Sequence, residues 1–309
     1  MDKNNTNIAY LGGAFFSVLV GFSFLGIKVS QVYATSLNIL CYRYDFAFIA
    51  CLILIALGVY KFNIKGRPKK NLFWTAIFYV LFMTFQVIGL VFATSVEGAI
   101  FFAIVPIIVK IIASIVLKER STWYENIFVS MSVLSIILLI VLGADSISMN
   151  PICVVLMLLS STCMAINNVL MRYVRKDYNP AEITIAISFL GFIAFNAASI
   201  VIGVYNGNFI ESYFQPLTHP NVLIANIYLG VGCILLSAQL MSYLQSKMAA
   251  VKASVFGNVS TLISILAGVF ILGEPLHWYH IMCTVLIIVG VVGLNFTGKI
   301  IERINERNR

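Results

Sequence analysis

Hydrophobic residues along this chain fall into ten stretches of about 20 residues, separated by short polar gaps. A helix of that length crosses the hydrocarbon core of a bilayer, which is roughly 30 Å thick. The pattern therefore predicts an all-α integral membrane protein with ten transmembrane helices and no soluble domain. The predicted segments are 8–28, 39–60, 72–93, 97–117, 124–142, 151–171, 182–204, 222–246, 250–272 and 278–298.

Lysine and arginine are concentrated in every second gap. Of the 20 Lys and Arg residues, 17 lie in the N-terminus, the even-numbered gaps or the C-terminal tail. Cytoplasmic loops collect such residues, so we expect a multi-pass protein of the plasma membrane with both termini in the cytoplasm. The 17 cations are Lys3, Lys61, Lys65, Arg67, Lys69, Lys70, Lys118, Arg120, Arg172, Arg175, Lys176, Lys247, Lys252, Lys299, Arg303, Arg307 and Arg309.

The composition supports the membrane interpretation. The chain is 61% hydrophobic and 10% charged, whereas soluble domains carry about 25% charged residues. The net charge of +8 comes from the inner loops and the tail, so it indicates contact with anionic membrane lipid and no nucleic-acid partner. All six cysteines lie inside apolar segments, which favours neither a disulfide framework nor a metal site.

The two halves of the chain resemble each other weakly. An offset of 155 places Ser95–Ala99 over Ala250–Ser254, and it places Glu119 over Glu274. Apolar sequence of low complexity often aligns with itself, but two glutamates at equivalent helix ends favour a true repeat.

A second alignment, with an offset of 144, sets Gly21–Phe24 over Ala165–Asn168. We therefore divide the chain into residues 1–148 and 149–309, each with five predicted helices. An odd number of spans inverts the second repeat relative to the first. Inverted repeats build secondary transporters that bind substrate near the membrane midplane.

Several short motifs resemble the EamA family of the drug/metabolite transporter superfamily. The motifs are Val20–Lys28, Tyr42–Asp45, Ala99–Pro106, Leu117–Glu119 and Gly273–Pro275. Val20 stands where the family commonly has Trp, and Thr261 where it usually has Pro. The resemblance implies a ten-helix carrier for a small molecule, monomeric or homodimeric, with no cofactor. Export of an amphiphilic metabolite or an amino-acid-like solute, with proton coupling or exchange, is the function it favours.

One charged residue lies deep in a predicted helix. Lys110 is eight residues before Lys118, hence roughly 12 Å from the inner boundary, and a charge inside the bilayer is costly. It follows Pro106 by four residues, so both share a helix face, and the proline should bend the helix. Lys110 either binds substrate or extends its ammonium group to the cytoplasmic interface.

Four further charges lie near the outer side of the membrane. Asp45 and Arg43 each need a partner: Lys28 is available to pair with Asp45, and Glu97 is available to pair with Arg43. These residues form either a structural network of ion pairs or, through Asp45, a titrating carboxylate for proton coupling.

Uncharged polar residues in the apolar segments are the other candidates for substrate contact. Each either joins neighbouring helices or lines a wet cavity. They are Ser23, Gln86, Asn167, Asn168, Gln239, Tyr243 and Asn258.

Two other classes of function stay open. An enzyme acting on lipid would need clustered acid, base or metal ligands, and His277, His280 and Glu274 offer only a weak metal site. A channel would need a ring of like charges or carbonyl groups. We predict no catalytic residue and no bound metal.

Overall fold

The computed structural model describes residues 3–116, 123–143, 150–247 and 250–307, and its regular elements in these ranges are helices. The α-helices are α1 Lys3–Gly21, α2 Ser23–Gln31, α3 Ser36–Ala56, α4 Lys69–Gly89, α5 Ser95–Ala103, α6 Val105–Val116, α7 Trp123–Gly143, α8 Pro151–Val174, α9 Pro180–Tyr205, α10 Phe209–Phe214, α11 Pro220–Ile227, α12 Ser237–Lys247, α13 Ala250–Leu272 and α14 Trp278–Arg307. A 3₁₀ turn at Gln215–Thr218 precedes α11, and a π-helix at Tyr228–Leu236 joins α11 to α12.

Seven helices of the described chain are long and apolar enough to cross a membrane. They are Tyr10–Gln31, Ser36–Ala56, Lys69–Gly89, Ser95–Ile112, Pro151–Met171, Pro180–Tyr205 and Pro220–Leu244. Shorter apolar helices at Asn126–Ser135, Val259–Leu272 and Trp278–Gly290 lie in the fifth, ninth and tenth predicted segments. The all-helical, multi-span architecture is confirmed, and ten crossings stay a prediction.

Two of the long helices are interrupted. Phe22 separates α1 from α2, and Ile104 separates α5 from α6, two residues before Pro106. A proline removes a helical hydrogen-bond donor and crowds the preceding turn, which accounts for the second interruption. Side chains of neighbouring helices hydrogen-bond carbonyl oxygens at both interruptions. Ser264 Oγ donates to Gly21 O at 2.6 Å, and Ser161 Oγ donates to Phe101 O at 2.9 Å.

The connecting segments gather at two ends of the helix bundle. At one end, Arg67 forms an ion pair with Glu182 at 2.9 Å and lies over the ring of Tyr178. We call this end, which carries residues 57–68 and 175–179, the basic face. At the other end, Tyr33 stacks on His219, and Glu274 reaches the start of α5. We call this end, which carries residues 32–35, 90–94, 206–219 and 273–277, the opposite face.

Most extensive helix contacts join the first half of the chain to the second. The largest are α4 with α8, α7 with α14, α1 with α13 and α3 with α9. Glycine allows the closest approaches. A Cβ atom on Gly230 would lie 2.4 Å from Arg43 O, and one on Gly191 would lie 2.2 Å from the ring of Tyr44. The backbone around Arg43 is therefore held tightly between α9 and the π-helix.

Candidate functional site

Arg43 is the central feature of the protein interior. It lies on α3 and is 1% exposed, and its Nε and Nη1 atoms have no hydrogen-bond partner. None of the ion pairs among the described residues involves it. Because an uncompensated buried charge is expensive, this guanidinium group calls for an occupant that supplies negative charge or acceptor oxygens.

Other buried groups near Arg43 also lack partners. Its charge acts on the hydroxyl groups of Tyr44 and Tyr79. The hydroxyl group of Tyr44 has no hydrogen bond, and neither has Oγ1 of Thr75, one turn before Tyr79 on α4. The backbone carbonyl of Thr75 accepts a hydrogen bond from Asn167 Nδ2 of α8 at 2.8 Å. Buried donors without acceptors thus occur on both α3 and α4.

Aromatic rings continue from this polar region towards the two helix interruptions. The ring centroids of Tyr79 and Phe82 are 5.6 Å apart, those of Phe82 and Phe102 are 5.8 Å apart, and those of Phe102 and Phe24 are 6.2 Å apart. We call these four residues the aromatic row. The pairs are edge-to-face or tilted, and such packing makes the aromatic row a rigid apolar unit.

Arg43, the aromatic row and the interruptions lie at similar depth. At about 1.5 Å per residue, Arg43 is about 10 Å below the start of α3, and Phe22 and Ile104 are each about 13 Å from the end of their helix at the opposite face. This layer falls near the middle of a hydrocarbon core of roughly 30 Å. Phe22 and Ile104 keep right-handed backbone angles, so each interruption is a bend at one residue and not an unwound segment. Transporter substrate sites are often built where helices are discontinuous at this depth.

Lys28 and Glu97 belong to a separate cluster at the opposite face. Lys28 Nζ donates to Leu90 O at 2.6 Å and interacts electrostatically with Glu274 and Glu97. Glu274 accepts hydrogen bonds from the backbone N–H groups of Ser95 at 2.8 Å and Val96 at 3.0 Å. Glu97 completes a capping box with Thr94. This cluster joins α2, α4, α5 and the end of α13, and we call it the closure cluster.

Asp45 has a different environment. Its carboxylate accepts hydrogen bonds from Asn196 Nδ2 at 2.6 Å and from the hydroxyl group of Tyr213. Burial, and then the hydrogen bond to Asp45, raise the pKa of Tyr213, so this tyrosine stays a donor. Asp45 therefore ties α3 to α9 and α10.

Neither Lys28 with Asp45 nor Arg43 with Glu97 is among the ion pairs of the described residues. The reason is geometric: neutral donors from α9 and α10 already satisfy Asp45, and the N-terminus of α5 and its cap hold Glu97.

The remaining predicted residues are dispersed. Lys110 and Pro106 are partly buried on α6, Ser23 lies at the first interruption, and Gln86 is buried on α4. Asn167 is buried and Asn168 partly buried on α8. The side chain of Asn258 lies outside the described residues.

Gln239 and Tyr243 are partly buried on α12, near the basic face. Gln239 lines a cavity of about 330 Å³ together with Tyr60, Lys61 and Asn179. This cavity opens at the basic face.

Tyr79, Tyr213 and Asn196 were missed in the sequence. Aromatic residues are common in membrane helices, so Tyr79 gives no local signal. Asn196 was recognisable, since an amide in an apolar segment needs a partner. The partner of Glu274 could not be found from sequence because the start of α5 is 179 residues away.

The match to a protein family shows which family of membrane proteins this chain belongs to. The EamA-like transporter family matches residues 7–141 and 151–296. The chain belongs to this family. Its two EamA matches fall in the two halves predicted from the sequence, and the expected resemblance is confirmed.

Similar proteins cover nearly the whole chain. An uncharacterized transporter, YcxC, of Bacillus subtilis is 35% identical over 96% of this chain and 95% of its own length. An uncharacterized transporter of Archaeoglobus fulgidus is 25% identical over 88% of this chain and 92% of its own. A solved crystal structure with no stated function matches 96% of this chain and 99% of its own at 14% identity, with a TM-score of 0.63. This last likeness concerns the fold alone.

EamA membership and the apolar helices make the chain a multi-pass membrane protein of a transporter family. They point to a transporter rather than an enzyme, with a small molecule and membrane lipid as its partners.

Proposed function

We propose that this protein is a secondary transporter that moves a small solute by alternating access. The observation that carries the proposal is Arg43, a fully buried cation with unpartnered donors in the layer where two helices are interrupted. A structural arginine would have a fixed partner, whereas a binding residue obtains one from its ligand. Interrupted helices near the midplane are a common way to build such sites.

The proposal includes ten crossings arranged as two inverted halves. With the predicted segments numbered one to ten, the main contacts are 1–9, 4–6, 3–6, 1–8, 2–8, 3–7, 2–7, 4–9 and 5–10. Exchanging each segment with the one five positions away converts 1–9 into 4–6, 3–6 into 1–8 and 2–8 into 3–7, and leaves the other three unchanged. A two-fold relation between the halves would produce this set of contacts.

The two ends of the bundle differ in a way that fits alternating access. The closure cluster joins four helices at the opposite face, while the basic face has a cavity of about 330 Å³. The basic face carries Lys61, Lys65, Arg67, Arg175 and Lys176, and cytoplasmic loops are rich in such residues. We therefore place the basic face and both termini in the cytoplasm, and describe this conformation as closed to the outside.

We further propose export as the direction, on the family resemblance alone. The form of energy coupling is either a proton or an exchanged solute. The Asp45 network favours a structural role for that carboxylate, since two neutral donors hold it between three helices.

Counterflow in proteoliposomes tests the proposed function. Solutes that raise the melting temperature of the detergent-purified protein would be loaded inside vesicles, and uptake of the labelled solute followed. We expect saturable counterflow that needs no ATP. Equal uptake by vesicles with and without the protein, for every stabilising solute, would refute the transporter.

A further inference from the structure

We propose that the transported solute is a monocarboxylate with an apolar body, bound with its carboxylate at Arg43 and its body along the aromatic row. This inference rests on the proposed transport function and adds the chemical class of the solute.

The donors at Arg43 suit an anion with more than one acceptor oxygen. Nε and Nη1 together carry three N–H groups, and the structure shows no acceptor for them. The hydroxyl group of Tyr44, on which the charge of Arg43 acts, adds one further donor without a partner. A carboxylate has two oxygens and about four acceptor positions, so it can satisfy most of this set.

The charge at the site suits a single negative charge. Among the described side chains, Arg43 is the cation whose charge acts on the hydroxyl groups of Tyr44 and Tyr79, and Lys110 lies elsewhere, on α6. Lys28 is engaged in the closure cluster by Leu90, Glu97 and Glu274. One guanidinium group balances one carboxylate, whereas a phosphate monoester carries nearly two charges and would keep an excess charge buried.

The aromatic row suits a solute whose remaining part is apolar. Phe82, Phe102 and Phe24 follow Tyr79 with centroid separations of 5.6 to 6.2 Å. Packing a sugar or a second charge against these rings would cost desolvation free energy. Packing an alkyl or aryl group against them would be favourable, because it buries apolar surface.

The first experiment needs only the wild-type protein. Detergent-purified full-length protein is titrated at about pH 8 with 3-phenylpropanoate, with its neutral isostere 3-phenylpropanamide, and with phenyl phosphate, a dianion at that pH. Thermal unfolding reports binding. We expect 3-phenylpropanoate to bind about tenfold or more tightly than the amide, since hydrogen bonds to a charged group are strong. Equal affinities, or tighter binding of phenyl phosphate, would overturn the proposal.

Variants then assign the preference to Arg43. Arg43→Lys keeps one charge but has fewer donors, so we expect weaker binding and a retained preference for the carboxylate. Arg43→Met should bind the carboxylate and the amide equally. Lys65→Met, at an exposed position of the basic face, is the matched control and should behave as wild type. An undiminished preference in Arg43→Met would overturn the assignment.

Counterflow of labelled 3-phenylpropanoate separates this inference from the transport proposal. Tight, charge-dependent binding without any counterflow would leave the anion site standing and refute transport. Counterflow of a neutral or cationic solute, together with no carboxylate binding, would leave transport standing and refute the monocarboxylate.

Discussion

At the scale of single residues, Arg43 and Asp45 show how strongly position on a helix decides a charge's role. They stand two apart on α3 and so point in different directions. Arg43 interacts electrostatically with Tyr79 of α4 and Cys233 of the π-helix and has two unpartnered nitrogen atoms, while Asp45 receives hydrogen bonds from α9 and α10. The sequence identified both as unusual charges in a membrane segment. It could not tell which had a partner, because the donors to Asp45 lie 151 and 168 residues further along.

Replacing Asp45 tests its structural role. Asp45→Asn keeps the shape but removes the charge, so we expect the free energy of unfolding to fall by about 2 kcal/mol, measured by denaturant titration in detergent. Tyr213→Phe should cost a similar amount, and the double variant should cost less than the sum, because both changes remove one interaction.

The control for the Asp45 pair is Tyr205→Phe, at a position that is 90% exposed, and it should leave stability unchanged. We expect the pH profile of transport in Asp45→Asn to match wild type. A flattened profile would instead assign proton coupling to Asp45.

Lys110 is a second charged residue whose role can be tested by substitution. It lies one turn after Pro106 on α6, and keeping a charge within an apolar span costs roughly 2.5–3.5 kcal/mol. We expect Lys110→Met to insert normally and to lose at least about tenfold in transport rate if the charge acts on the solute. Lys65→Met is the matched control. Uptake kinetics of Lys110→Met that equal those of the control would remove Lys110 from the site.

At the scale of elements, helix ends rather than helix centres organise the closure cluster. α13 ends at Leu272, and Gly273 adopts a left-handed conformation with φ of 68°. The turn directs the Glu274 carboxylate to the first N–H groups of α5, where the helix dipole favours negative charge. The sequence indicated that an acid at the end of its own helix was unfavourable. The partner of Glu274, the N-terminus of α5, is visible only in the folded structure.

Removing the Glu274 charge should loosen this closure. Glu274→Gln weakens the interaction with α5, so we expect the open population at the opposite face to rise about two- to fivefold. Cys153 is fully buried and interacts electrostatically with Lys28 and Glu97, which makes it a native reporter. Its labelling by a membrane-impermeant maleimide, located by mass spectrometry, should increase by that factor.

Glu211→Gln, at an exposed acid on α10 of the same face, is the control for Glu274→Gln. It should leave the labelling of Cys153 at the wild-type level. An equal increase in both variants, or in neither, would contradict a specific closing role for Glu274.

At the scale of the whole molecule, the alternation of charge along the chain corresponds to two faces in space. Residues 57–68 meet residues 178–182 at the basic face, as the contacts of Arg67 show. The segments between other helices meet at the opposite face through Tyr33, His219 and Glu274. The sequence predicts the two faces because each membrane crossing moves the chain to the other side, so every second loop lies on the same face.

Labelling in intact cells tests the orientation. We expect cysteines placed near the two termini to react with an impermeant maleimide only after permeabilisation, because both ends are proposed to be cytoplasmic. Asn208→Cys, in the opposite face, should react in intact cells. Termini that label on different sides of the membrane would contradict the paired, inverted halves.

The sequence by itself determined the helical class, the apolar spans, the family and the alternation of charge, since hydrophobic length and loop charge are local properties of the chain. The tertiary structure alone decided which buried charges are satisfied. Asp45 and Glu274 obtain their partners from distant helices, and Arg43 retains donors without acceptors. The physical reason is that desolvation of a charge depends on everything packed around it, and most of those neighbours come from the other half of the chain.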